Sequence, residues 1–161
     1  MPAITLPADG DKPYGAVLRT AITTVNDAVD DISDPWVTYT PTYTNFTLGN
    51  GAVTARYKQN GKTVHASVYI LLGSTSAVGT SPRISLPFTA ASANLIIPNI
   101  IYTDAGSAFY FGTGRVISSA VELYTLNVAS TYPTLPAVTA TVPFTWVTND
   151  EIRFSVTYEA A

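Results

Sequence analysis

The 161-residue chain contains no cysteine and one histidine, and charged side chains make up only 12% of it. Without cysteine neither a disulfide framework nor a thiolate metal site can form, so the hydrophobic core must support the fold without covalent links. No two His, Asp or Glu residues recur at a spacing typical of metal ligands. We therefore expect no metal and no cofactor.

Positive charge is also scarce, because eight Lys and Arg residues stand against eleven Asp and Glu residues, for a formal net charge of −3. The basic residues beyond residue 35 are single and scattered, and no run could neutralise a track of phosphates. The longest apolar stretches, 64–72 and 95–102, are far shorter than a membrane span, and the first residues lack the charged start of a secretory signal. We expect no nucleic-acid partner, no membrane insertion and no signal peptide.

Beyond about residue 35 the chain is rich in Thr, Ser, Tyr and Val, and Gly and Pro recur throughout, which favours strands over helices. The clearest strand is Thr63–Leu72. Val64, Ala66, Val68, Ile70 and Leu72 share one face of it, and Thr63, His65, Ser67 and Tyr69 share the other. Turn signals about every 8–12 residues are typical of a sandwich or a barrel.

The sequence therefore predicts an all-β fold over residues 35–161, an antiparallel, jelly-roll-like β-sandwich without a helix longer than about two turns. The predicted strands are Val37–Tyr43, Ala52–Gln59, Thr63–Leu72, Arg83–Phe88, Leu95–Tyr102, Ala108–Phe111, Arg115–Leu126, Ala137–Val142 and Ile152–Tyr158.

One short helix is predicted ahead of the strands, over residues 13–34. Asp11 can cap its start, Pro13 is tolerated in a first turn, and Pro35 prevents its continuation. Its apolar residues follow each other at alternating spacings of four and three, which places them on one narrow stripe. This stripe, called the helix seam below, consists of Leu18, Ile22, Val25, Val29 and Ile32.

A helix of this length, with many β-branched residues, is marginal alone in water and needs a partner. The seam would either pack on the chain's own β domain or pair with copies of itself. We favour self-association, because the stripe is confined to a and d positions and β-branched residues fill most of them, a pattern associated with trimers. Residues 1–12 would then form an attachment segment.

Candidate catalytic residues are few. His65 is the one conventional general base, and Ser67, two residues along the same strand, would lie about 7 Å away with no carboxylate nearby in sequence to orient the ring. Asp150 follows a turn signature and is expected in a loop before the last strand. We expect no catalytic residue and no enzymatic activity. The enzymatic alternative is glycan hydrolysis that depends on Glu122 or Asp150.

The aromatic run Phe109, Tyr110 and Phe111 is the candidate binding feature of the domain. Three consecutive side chains of a strand cannot all face one core, so at least one must face outward. An outward ring could fill a subunit interface or stack on a sugar, and we favour the interface.

Several Thr-, Gly- and aromatic-rich stretches carry a resemblance to known proteins: Trp36–Thr42, Thr44–Gly51, Ala55–Val64, Leu72–Pro82, Leu86–Pro87, Pro143–Trp146 and Asp150–Ala161. Together they cover about two-thirds of the chain. They resemble a recurrent module of bacteriophage tail proteins, most closely those of phages that infect actinobacteria.

Proteins with this module are minor tail proteins or tail fibres, so the resemblance implies a virion component that is assembled in the bacterial cytoplasm. It also implies a trimeric head near the tail tip, and no catalytic residue. The expected partners are copies of the chain, other tail or capsid proteins, and host cell-wall polysaccharide. A start methionine about a dozen residues before the helix leaves room for a minimal attachment segment, Pro2–Lys12. A capsid or tail decoration or spike protein is therefore the alternative.

Overall fold

A computed structural model describes residues 15–129 and 131–161 of the chain. The chain separates into two compact units between Pro35 and Trp36. In its described part, the first unit holds one helix, α1, Gly15–Ser33. Residues 1–12 and the predicted helix start at Pro13 lie outside the described residues.

The second unit holds nine strands in the part that is described. They are β1 (Val37–Thr38), β2 (Tyr43–Thr47), β3 (Ala52–Asn60), β4 (Thr63–Leu71), β5 (Ala77–Ser85), β6 (Ile96–Asp104), β7 (Ala108–Ile117), β8 (Ala120–Thr125) and β9 (Glu151–Glu159). Every pairing between them is antiparallel. No helix occurs in residues 36–129 and 131–161. The predicted all-β, antiparallel fold preceded by one short helix is confirmed.

The strands form one continuous ladder in the order β1-β3-β4-β9-β6-β7-β8-β5-β2. β1 and β2 are therefore the two edges of the sheet, yet only residues 39–42 separate them along the chain. The sheet must curl until its edges meet, because four residues cannot span a flat sheet of nine strands. The connecting segment bonds to both sides: the Tyr39 N–H donates to Ala55 O at 3.0 Å, and the Ser85 N–H donates to Thr42 O at 2.9 Å.

Curling gives the sheet one inner and one outer face, and a single hydrophobic core fills the inside. β4 shows this sorting as predicted, since Val64, Ala66, Val68 and Ile70 are all buried at 0–1% exposure while His65 is exposed. Two layers of a sandwich and one curled sheet impose the same alternation on each strand. The period of two therefore predicts which residues face the core. It does not distinguish one continuous curled sheet from two stacked sheets.

Five predicted strands are wrong in their extent. Arg83–Phe88 covers only the end of β5, which begins at Ala77, and Ala108–Phe111 covers only the start of β7, which runs to Ile117. Val37–Tyr43 is two strands, because Pro41 has no N–H for a ladder and lies in the edge-to-edge connection. Arg115–Leu126 is the β7–β8 hairpin, which turns at Ser118 and Ser119 with Ser118 at φ 54°. Ala137–Val142 makes only isolated bridges to Tyr124 and within itself.

Gly112 is required by the packing of β6 against β7 and β8. The fully buried ring of Tyr102 passes beside it and donates its hydroxyl hydrogen to Tyr124 O at 2.9 Å. A Cβ on Gly112 would collide with that ring and with the Tyr124 carbonyl oxygen. Gly112 has no positive φ, so its requirement is space and not backbone conformation.

We expect Gly112→Ala to lower the free energy of unfolding by more than about 2 kcal/mol, because backbone and a buried ring must move to admit the methyl group. Gly61→Ala is the matched control. Gly61 has φ 55° and open space around its Cβ position, so that change should cost only about 1 kcal/mol of left-handed strain. Urea unfolding of the two variants measures both values, and equal losses would contradict the steric explanation.

Candidate functional site

The helix seam is an apolar surface with large exposed side chains. Leu18 is 52% exposed and Val25 is 54% exposed, while Ile22 and Val29 are partly buried. Ile32 lies within α1, and its side chain is outside the described part of the structure. A helix that leaves Leu and Val on its apolar stripe in water retains a surface for a partner.

His65 lies on the outer face of β4, exposed, with Nδ1 2.8 Å from Thr157 Oγ1. Ser67 follows on the same face, as its position along the strand predicts. A hydroxyl partner does not orient an imidazole as a catalytic carboxylate does. The arrangement supports a hydrogen-bonded strand histidine.

Asp150 is the carboxylate whose setting the sequence did not reveal. It is completely buried, and its two oxygens accept hydrogen bonds from the backbone N–H groups of Ala105 (3.0 Å) and Val147 (2.6 Å). Both donors are main-chain groups, which any residue supplies, so no side-chain pattern marks the site in the sequence. Through these two hydrogen bonds Asp150 links the β6–β7 turn to the segment before β9.

Glu122 is a buried carboxylate on the outer face of β8, only 4% exposed. Arg83 on β5 and Arg115 on β7 lie directly opposite it in the ladder. Arg83 Nη2 is 2.6 Å and Arg115 Nη2 is 3.3 Å from its oxygens, and the Tyr124 hydroxyl donates to it as well. The arginine side chains cover the carboxylate, which explains its burial on an outward face.

The pKa of Glu122 reflects two opposed effects. Burial raises it, but the hydrogen bonds from Tyr124 and Arg83 and the charges of Arg83 and Arg115 outweigh burial and hold the pKa below its ordinary value. A general acid of a glycosidase needs the opposite, a raised pKa.

The predicted aromatic run is divided between the two faces of β7. Tyr110 turns inward and packs on Phe144, with ring centroids 5.0 Å apart. Phe109 and Phe111 turn outward and are 70% and 64% exposed. The geometric expectation that at least one ring must face outward is met by two rings.

The outward phenylalanines belong to a larger surface. The Leu126 N–H donates to Phe111 O at 3.0 Å, which continues the β7–β8 ladder and places Leu126 beside Phe111 on the outer face. Asn127 and Thr134 exchange two hydrogen bonds of 2.9 Å each and add a further ribbon. The resulting surface, called the apolar patch below, consists of Phe109, Phe111, Leu126 (45% exposed), Val128 (69%) and Leu135 (50%).

Three patch residues, Leu126, Val128 and Leu135, were not singled out from the sequence. The sequence feature that could have indicated them is the spacing of two between Leu126 and Val128, which places both side chains on one face of an extended segment. The sequence predicts one strand over 115–126 and therefore gives no indication of the hairpin that brings Leu126 beside Phe111.

The neighbouring outer face of β4, β9 and β6 is polar by contrast. Tyr69 donates to Glu151 Oε1 at 2.9 Å, and the Arg153 guanidinium lies 5.1 Å from the centre of the Tyr69 ring and pairs with Glu151. An open groove of about 460 Å³ runs here. Its lining includes Ser67, Tyr69, Asn99, Ile101, Arg153 and Ser155.

Within the described ranges, no three His, Asp or Glu side chains come together as a metal site would require. No helix in the described part is both long and apolar enough to cross a membrane.

The chain has a significant similarity to a known protein. The chain is 32% identical over 120 residues to the Mu-like prophage FluMu defective tail fiber protein of Haemophilus influenzae. The aligned segment is 71% of this chain but 18% of that relative, so the chain spans about a fifth of the relative's length. No protein-family model matches the chain, and no solved structure gives a significant match. The predicted relationship to phage tail proteins is confirmed at this level, and the actinobacterial type stays a prediction.

The Glu122 cluster predicts a pH-dependent stability. The folded pKa of Glu122 is lowered below its ordinary 4.5, so its contribution is complete above that value and is lost as the pH falls through the folded pKa. We expect Glu122→Gln to lower the free energy of unfolding at pH 7, and the difference from wild type to shrink as the pH drops below 4.5. Glu159→Gln, on an exposed β9 residue, is the control. A wild-type minus Glu122→Gln difference that stays constant from pH 7 to pH 3 would refute this account.

Proposed function

We propose that this chain is a structural protein of a bacteriophage virion, a homotrimeric tail-tip or fibre-head protein that adheres to the host surface. The main support is the 120-residue similarity to a prophage tail-fibre protein, which falls on most of this chain. The role is proposed to be non-catalytic, in keeping with the lowered pKa of Glu122 and the main-chain partners of Asp150.

The helix seam supports the proposed trimer. Its spacing is the a and d alternation of a coiled coil, and Leu18 and Val25 keep about half of their surface exposed in a single copy. A helix of 19 residues gains most of its stability from packing, so association would stabilise α1 as well as join the copies.

We expect Val25→Asp to dissociate or weaken the trimer, because three like charges would meet around one desolvated axis. Thr23→Asp is the matched control, since it adds the same charge to an exposed position of the same helix off the seam. Native mass spectrometry at micromolar concentration reports the mass of each form. A monomeric wild type, or equal masses for both variants, would overturn the seam as the site of assembly.

Cell-wall polysaccharide is the proposed host ligand, and the polar groove is the best candidate surface for it. The groove presents hydroxyl, amide and guanidinium groups from Ser67, Asn99 and Arg153, which suit the hydroxyl groups of a sugar. An open groove would give a weak site, but three copies on one particle raise the effective concentration and allow firm adhesion.

The adhesion proposal predicts that the purified chain binds isolated cell walls of the bacterium that supports the phage. Asn99→Ala in the groove should reduce binding, and Thr54→Ala on the outer face of β3 should not, since Thr54 is exposed and does not line the groove. Pull-down of labelled protein with washed walls measures both. Absence of binding even by a trimer would favour the architectural alternative, a capsid or tail decoration or spike protein, and imaging of the labelled chain on intact particles would then locate it.

A further inference from the structure

The outer face of the curled sheet is divided into a polar part and an apolar part. On β4 and β9 the outward residues include His65, Ser67, Ser155 and Thr157, as expected of a surface in water. At the other end of the outer face, Phe109 and Phe111 of β7 form the apolar patch with Leu126, Val128 and Leu135, while Arg115 farther along β7 pairs with Glu122. All five patch residues have hydrocarbon side chains that are 45–70% exposed. The contrast with the polar part of the face therefore involves a group of side chains and not single exposed residues.

The exposed area of the patch is about the apolar area that one partner contributes to a stable interface. With ~150–250 Å² for a full aromatic side chain and somewhat less for Leu and Val, the exposed fractions amount to on the order of 500 Å². A standard interface buries about 800 Å² on each partner, of which somewhat more than half is apolar. The patch of each copy therefore has enough apolar area for one interface between copies.

The chemistry of the patch selects the class of partner. Phe, Leu and Val side chains have no donor or acceptor for the hydroxyl groups of a sugar or for a phosphate. An aromatic ring alone could stack on a sugar, but the aliphatic Leu126, Val128 and Leu135 beside the two rings favour an apolar partner. The same patch on other copies supplies such a partner where the copies converge on their common symmetry axis. The charges beside the patch also permit it: Ile101 on β6 lies opposite Phe111 on one side and Arg153 on the other, and Arg153 is neutralised by Glu151. The charge of Arg153 would therefore not oppose the approach of two copies.

We propose that the apolar patch is a subunit interface of the β domain, covered by a second copy of the same chain. The inference rests on the proposed self-assembly of the protein but assigns a surface separate from the helix seam.

The absence of native cysteine permits a direct test on the full chain. Val128→Cys places a thiol in the patch, and Thr157→Cys places one at an exposed position of the polar face. In the assembled protein we expect maleimide to label Cys at 128 at least about ten-fold more slowly than Cys at 157, because interface cores exclude solvent. Dilution to the monomer should make the two rates equal.

A second measurement uses Phe109→Ser combined with Phe111→Ser. Because both rings are largely exposed in one copy, these changes should leave the unfolding midpoint of a monomer nearly unaltered while lowering the mass or raising the dissociation constant of the assembly. Thr157→Ser is the surface control and should alter neither.

The outcomes separate this inference from the proposed seam. An assembly in which both cysteines label equally fast, or whose mass is unaffected by loss of both rings, overturns the patch as an interface. So does a patch that is labelled freely in the purified protein and protected only on phage particles, which would assign it to another virion protein. An assembly with a protected patch that also survives Val25→Asp unchanged upholds the patch and refutes the seam.

Discussion

The edge-to-edge connection of residues 39–42 is the constraint on which the β domain depends. By joining β1 to β2 across the closing gap, it forces nine strands into one curled ladder with a single interior. Every strand residue is then sorted inward or outward, and the outward residues of neighbouring strands line up in rows. The Glu122 cluster and the polar groove are both consequences of that alignment, because each is assembled from residues of three neighbouring strands.

Closure also accounts for the contrast between the two buried carboxylates. Asp150 lies where a turn and a loop meet, and its two oxygens accept hydrogen bonds from two backbone N–H groups. Glu122 lies on the outer face, where arginines from the two flanking strands cover it. A carboxylate without such partners would become neutral when buried. Glu122 and Asp150 are the two candidate residues for glycan hydrolysis. The burial of each is thus explained by the structural segments that it joins.

Local periodicity predicted much of this fold and little of its surface. The alternation in 63–72 was sufficient to assign the faces of β4, because hydrophobic burial imposes a period of two on any half-buried strand. The turn at Ser118 and Ser119 was missed because neither residue is the Gly or Asn that usually marks a tight hairpin. That error concealed the pairing of Phe111 with Leu126. The aromatic run was noticed from the sequence, but the patch around it depends on strand neighbours that only the topology supplies.

The seam and the patch are related by the physics of weak interfaces. A seam of five residues on a short helix and a patch of about 500 Å² are each marginal as the sole contact between copies. If both are interfaces as proposed, binding at one would raise the effective concentration at the other, because they belong to one chain, and their contributions would combine in an assembly. Two modest surfaces then suffice for a firm assembly. Neither surface would then need to be so apolar that the unassembled chain would aggregate.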